Sequence, residues 1–287
     1  MKNILVFGKD SYIGTNFEKW LNKSKEGNYN ISSISSKDDE WRKEDFSKYD
    51  VVFCLAGIAH VSANKKLEDL YYKVNRDLPI EVAKKAKAEG VKQFIFMSSM
   101  IIYGADGKIG QFKIIKEDTS KVPIDFYGRS KLEADEAIQK LSDEKFKTII
   151  IRAPMVYGPN CKGNFPKLKK IAKILPIFPD IENNRSMIYI DNLVECIKQN
   201  IDNENSGVIY PQNKEYVSTK SIIEAMAKAM NKKMHFVKIF NPILKLLSKK
   251  INYINKIFGN KVYDKSLSGD FSYCVVDFET SIIECMK

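Results

Sequence analysis

The stretch "KNILVFGKDSYIG", residues 2–14, decides the fold. Its first half is a short apolar run that reads as a buried strand ending at Gly8. "SYIGTNFEKWLNKSKEG" follows, with apolar residues at helical spacing. Gly8, Ser11 and Gly14 fall at the marker positions of a loop that brings backbone close to a pyrophosphate at a helix N-terminus. Ser11 stands where a further glycine would leave the backbone freer, although its hydroxyl can still donate to phosphate. The loop lies between the first strand and the first helix, the context a dinucleotide site requires. Gly8, Ser11, Tyr12, Ile13 and Gly14 are its expected cofactor contacts.

Outward from this loop the chain alternates. "YNISSISS" reads as a weaker strand. "YDVVFCLAG", "VKQFIFMSS" and "FKTIIIRAP" read as stronger ones, apolar enough to be buried on both faces. "LEDLYYKVNRDLPIEVAKKAKAEG" reads as helical, with Pro79 starting a new turn or bending the old one. "SKLEADEAIQKLSDE" reads as another helix. Strands alternating with helices of this length predict an α/β fold, a Rossmann-type doubly wound parallel sheet. Beyond Pro154 the pattern is irregular. The expected organisation is a dinucleotide-binding domain over 1–154 and a smaller, mainly substrate-binding α/β domain over 155–287, partly interleaved with the first.

Composition narrows the class. The chain has 287 residues, 44% of them hydrophobic, enough for a sizeable core. No apolar run of about 18 residues is present, so no membrane span is expected. The N-terminal apolar stretch is too short for a signal peptide. Five scattered cysteines without a CxxC pair point to a reducing cytoplasm and away from a metal site or disulfide frame. The formal charge of +11 comes from lysines spread along the chain without a nucleic-acid motif. It reads as a solvated surface that steers anionic nucleotides, with no nucleic-acid partner expected.

A conventional NAD site places an acidic residue at the end of the second strand. Here the chain reads Ser35-Ser36-Lys37, which leans slightly to the 2′-phosphate of NADP. NADP or NAD is the expected cofactor. Ser99, ending a parallel strand, would stand at the carboxyl edge of the sheet. Tyr127 and Lys131, four positions apart, share one helix face. A tyrosine has an ordinary pKa near 10, and a neighbouring lysine would lower it. A hydroxyl beside such a pair is what hydride transfer to or from a carbinol needs.

These motifs together resemble the extended short-chain dehydrogenase/reductases, in the sugar-nucleotide epimerase/dehydratase branch. "GKDSYIG", "VVFCLAGIAHV", "SSMIIYG", "YGRSK" and "IRAPMVYGP" carry the likeness over nearly the whole chain. The resemblance implies Ser99, Tyr127, Lys131 and Asn75 as the catalytic group, counting back from Gly104 to select Ser99 over Ser98. It adds Leu55, Ala56, Gly57 and Pro154 to Ser35, Ser36 and Lys37 as cofactor contacts, alongside Tyr127 and Lys131. It implies Asn164 and Arg185, with Ser99, as contacts to a UDP-sugar. Within the branch the likeness runs to capsule and O-antigen enzymes that reduce UDP-4-keto-6-deoxy-N-acetylhexosamines, with a UDP-sugar 4-epimerase as the alternative. A cytoplasmic monomer or homodimer is expected. His60 and His235 read as structural, and Cys161 as unreactive. "FNPILKLLSKKINYINKIFGN" is apolar and basic at helical spacing. It reads as a helix facing the core of the small domain, with peripheral membrane contact as its rival.

Overall fold

The computed structural model describes residues 1–23, 29–59 and 64–287. In chain order the elements begin with β1 (Lys2–Phe7), α1 (Tyr12–Lys23), β2 (Tyr29–Ile34), β3 (Val51–Cys54), α2 (Glu68–Tyr72), α3 (Leu78–Ala88) and β4 (Gln93–Ser99). They continue with β5 (Ile114–Ile115), α4 (Phe126–Gln139), β6 (Lys147–Ala153), β7 (Met155–Tyr157), α5 (Phe165–Ile174), β8 (Ile177–Pro179) and β9 (Met187–Tyr189). The last are α6 (Ile190–Asp202), β10 (Gly207–Ile209), α7 (Thr219–Ala229), β11 (His235–Val237), α8 (Asn241–Leu247), α9 (Asn252–Phe258), β12 (Val262–Tyr263) and α10 (Phe278–Met286).

The chain divides into two compact units. One comprises Met1–Gly104, Ser120–Ala153 and Leu193–Pro211, the other Ala105–Thr119, Pro154–Asn192 and Gln212–Lys287. The first unit holds a six-stranded sheet in the order β2-β1-β3-β4-β6-β10. All its pairings are parallel. This is the doubly wound sheet expected from the alternating pattern. No strand forms between β2 and β3, where a short 3-10 turn at Glu40–Lys43 buries Trp41 against Phe7.

Alternation along the buried strands sorts side chains to the two faces. Leu5, Phe7, Val52, Cys54, Phe94 and Phe96 pack with Val82, Ala83 and Ala86 of α3 and Ala134 and Ile138 of α4. On the other face Phe17 of α1 meets Phe53 edge-on at 5.2 Å. Trp20 of α1 donates to Glu195 of α6 at 2.7 Å. The strand order reverses between β1 and β3, so the crevice at their carboxyl ends is where ligands bind in such sheets.

Pro79 stands in the first turn of α3, directly after a π-type turn. Lacking an N–H, it cannot bond to the carbonyl of Asn75, and the chain widens into a π-type turn over Lys73–Asp77 between α2 and α3.

The second unit is built from two-stranded parallel pairs, β7 with β9, β8 with β11 and β5 with β12, around helices α5, α7 and α10. One expectation is corrected here. Residues 240–258 form no single core-facing helix. They break into α8 and α9 around Ser248, and α8 buries none of its side chains. Its apolar residues repeat at helical spacing, yet the buried position beside it is the hydroxyl of Ser248. His235 starts β11 and is exposed, and His60 lies outside the described residues. All five cysteines are free. Among the described residues no helix is long and apolar enough to cross a membrane, and no metal-binding cluster occurs.

Candidate active site

The turn from β1 to α1 shows why its glycines matter. Gly8 has φ of +123°, a conformation open to glycine, and a Cβ there would come within 3.1 Å of Leu55 Cβ. A Cβ on Gly14 would lie 2.7 Å from Ser11 Oγ and 3.0 Å from Leu55 Cδ1, so the helix can approach β3 only with glycine. Ser11 Oγ accepts from the Gly14 N–H at 3.2 Å, which caps α1. Tyr12 and Ile13 form the first helical turn, which carries no acidic residue. That positive helix end fits a pyrophosphate.

The end of β2 lies against the same loop. Gly8 and Lys9 both donate backbone N–H groups to Ile34 O, at 3.1 and 2.9 Å. Ser35 Oγ accepts from the Lys37 N–H at 3.1 Å, closing a small turn that leaves the Lys37 side chain exposed. Ser36 is half-buried between them. Asp39 is engaged by Arg42 at 3.1 Å and offers no carboxylate in the position of Ser35.

Beyond β3 the backbone runs Leu55-Ala56-Gly57, with Leu55 N–H held by Phe7 O at 2.8 Å. A Cβ on Gly57 would meet Lys131 Nζ at 3.1 Å and Asn75 Oδ1 at 3.2 Å. Asn75 is fully buried and clamps this loop, accepting from Ile58 N–H at 2.8 Å and donating to Ile58 O at 3.0 Å. The widened turn before Pro79 is what carries it there.

Ser99 meets Tyr127, while Lys131 follows one turn later on the same helix α4. Asp125 caps α4 through Gly128 N–H at 2.8 Å, which fixes Tyr127 in the first turn. Gly128 is required there, since a Cβ would strike Pro123 at 2.8 Å. Tyr127 and Ser99 are hydrogen-bonded. Burial pushes the Tyr127 phenol up to about 12, and the bond from Ser99 opposes that rise. Lys131 is buried, donates to Met97 O at 2.9 Å and lies 4.6 Å over the Phe96 ring. Burial pushes its ammonium down to about 8. Ser98 takes no part in this group. Its hydroxyl donates to Asp135, which holds Arg152 through two bonds at 2.9 and 3.0 Å.

A family model described as "NAD dependent epimerase/dehydratase family" matches residues 4–216, a span that contains every residue of this group. The chain belongs to that family. It is an enzyme, a sugar-nucleotide epimerase or reductase that uses NAD or NADP.

Relatives in the family include a UDP-glucose 4-epimerase of Vibrio cholerae, 33% identical over 80% of this chain and 76% of that one. An N-acetyl-α-D-glucosaminyl-diphospho-ditrans,octacis-undecaprenol 4-epimerase of Escherichia coli O157:H7 is 27% identical over 90% of this chain and 82% of its own. A solved UDP-glucuronic acid 4-epimerase of Bacillus cereus, in complex with UDP-glucuronic acid and NAD, shares the fold. Its TM-score is 0.75 at 21% identity, covering 99% of this chain and 98% of that one.

The other expected residues of this family member lie in the second unit. Pro154 is buried immediately after β6. Asn164 and Arg185 line one cavity with Lys167, Leu168, Tyr253 and Lys256. Arg185 donates to Asp106 at 2.8 Å, and its backbone bridges Val217 and Lys261. Its Nε is buried without a hydrogen-bond partner among the described residues. Sequence reading missed Asp106, Lys167 and Lys256. Their signal was weak, because lysines are scattered and Asp106 stands far from Arg185 in the chain.

Proposed function

We propose that the enzyme inverts carbon 4 of a hexose or N-acetylhexosamine carried on a diphosphate, with UDP as the carrier. What supports this most is the 33% identity to a UDP-glucose 4-epimerase over four-fifths of the chain, with Ser99 hydrogen-bonded to Tyr127 and Lys131 one helical turn further on. A diphosphate is common to the carriers in the names of both curated relatives. Arg185 suits it through its forked donors, and Asn164 and Lys167 line the same cavity.

In this reading Tyr127 removes the proton from the 4-hydroxyl and returns it after the sugar has turned. Ser99 holds the same oxygen throughout. Lys131 stabilises the phenolate when Tyr127 has lost its proton, opposing the burial that otherwise holds that proton in place. A nicotinamide held beside them would supply a reversible hydride acceptor for carbon 4. The residues fit that cofactor through the glycine approach at Gly8 and Gly14 and the open backbone at Gly57, beside Lys131. Leu55 and Ala56 would complete the contacts.

A second reading is reduction of a UDP-4-keto-6-deoxy-N-acetylhexosamine in surface polysaccharide synthesis. The turn at residues 35–37 favours it, because a site without a ribose carboxylate holds NAD loosely, and a reductase must exchange its cofactor. The deciding experiment incubates the purified protein with UDP-glucose and UDP-N-acetylglucosamine and follows the sugars by NMR. Interconversion of 4-epimers without net cofactor use supports the epimerase. Stoichiometric NADPH or NADH consumption in a parallel incubation with the 4-keto sugar supports the reductase, and the absence of both outcomes overturns both readings.

A further inference from the structure

We propose that residues 238–251, centred on α8, seat the enzyme on an anionic lipid bilayer. Most apolar side chains of α8 and its flanks face outward, with Leu244 half-buried. Ile239, Ile243 and Leu246 are 75%, 59% and 66% exposed, and Phe240, Leu247 and Ile251 are exposed beside them. Within α8 only Asn241 and Leu244 are half-buried, and the buried residue at its end is Ser248, whose hydroxyl donates to Lys245 O at 2.8 Å and whose carbonyl receives Asn255 Nδ2 at 2.8 Å. A contiguous apolar face of this kind marks an interaction surface.

Charge selects the occupant. No acidic residue lies between Glu224 and Asp264. Lys238, Lys245, Lys249 and Lys250 are exposed around the apolar face. Among the described residues none of the four forms an ion pair. A second copy of the chain would bring these lysines against each other, which like-charge repulsion opposes. An interfacial helix on anionic lipid has this composition, with apolar residues inserted at the headgroup boundary and lysines reaching the phosphates. Tyr253 and Lys256, on the next helix, line the Arg185 cavity, so a docked α8 sets that cavity next to the headgroup layer.

The test is co-sedimentation of the full chain with vesicles of phosphatidylcholine alone or mixed with phosphatidylglycerol. Binding at least tenfold tighter to the mixed vesicles, weakened by salt, is expected. The double variant Ile243→Ser, Leu246→Ser should lose at least tenfold in that binding, with its thermal transition and circular dichroism unchanged. Lys249→Gln with Lys250→Gln should weaken binding to mixed vesicles only. Equal or absent binding to both vesicles would overturn the proposal, as would wild-type binding by the first double variant. Light scattering that shows a dimer dissolved by that variant, without vesicle binding, would assign the face to self-association instead. None of these readouts uses turnover, so the outcome is independent of which sugar the enzyme acts on.

Discussion

Ser98 and Ser99 are neighbours at the end of β4, yet their hydroxyls serve opposite sides of the strand. Ser98 donates to Asp135 at 2.7 Å within the buried Arg152 network. Ser99 accepts from Ile101 N–H at 3.2 Å and hydrogen-bonds Tyr127. Alternation along a strand enforces the split. Ser98→Ala should therefore destabilise the fold by about 1–3 kcal/mol, the cost of stranding a buried charged acceptor, and leave kcat almost unchanged. Ser99→Ala should do the reverse, lowering kcat without moving the denaturation midpoint. Equal effects of the two changes on kcat would break the assignment.

Tyr127→Phe keeps the ring, and with it the edge contact to Tyr71 at 6.0 Å. Only the proton carrier is lost. Turnover should fall about 100-fold or more, the usual scale of general acid/base catalysis, while cofactor binding measured by fluorescence quenching persists. Because burial pushes the phenol up to about 12 in the free protein, oxidation of the 4-hydroxyl should quicken as pH rises through the neutral range. Single-turnover absorbance at several pH values reads this directly, and a flat profile would count against Tyr127 as the base.

Arg185→Ala should weaken UDP binding by about 1.5–3 kcal/mol, the scale of a charged hydrogen bond. Asp106→Asn separates grip from support. It keeps a hydrogen-bond acceptor for Arg185 but removes the charge that pairs with it at 2.8 Å. UDP affinity in calorimetry should be retained or increased in Asp106→Asn. If Arg185→Ala binds UDP as wild type does, the arginine is a structural partner of Asp106 alone.

Much of this architecture could be read from residue order, and the limits have physical causes. The strands β1, β3, β4 and β6 announce themselves as unbroken apolar runs because both faces are covered. Tyr127 and Lys131 are separated by one helical turn, so their shared helix face follows from local geometry. Asp106 and Arg185 are 79 positions apart, and only tertiary folding brings them together. The paired segments β5 and β12 are two residues long, too short for any alternation to register. At α8 the apolar spacing is correct for a helix, but spacing alone does not say which way that helix faces.

The turn after β2 makes a cofactor prediction. Ser35 and Lys37 replace the carboxylate that would favour the free ribose hydroxyls of NAD. Lys37→Asp should move preference toward NAD by about tenfold or more, since a charged hydrogen bond of about 1.5–3 kcal/mol is gained with one cofactor and a repulsion imposed on the other. Dissociation constants for NADH and NADPH in the two proteins check it. An unchanged ratio would place residues 35–37 outside the cofactor site.

Lys131 sets stability against function. Its ammonium, about 8 in the folded protein against an ordinary value near 10.5, is charged at a cost when buried. Below about pH 8 the lysine is protonated in both folded and unfolded chains, so the folded state bears the full burial penalty. As pH rises from about 8 towards 10.5 the folded protein sheds the proton before the unfolded chain does, and the penalty disappears. Lys131→Met, which fills the same space without charge, should thus stabilise the protein at pH 7 by up to about 3 kcal/mol. The loss of the bond to Met97 O will offset part of this gain. The advantage should shrink steadily above about pH 8. Urea melts at pH 7 and pH 10 test the claim, and a gain of equal size at both would show that burial of the charge is not its source.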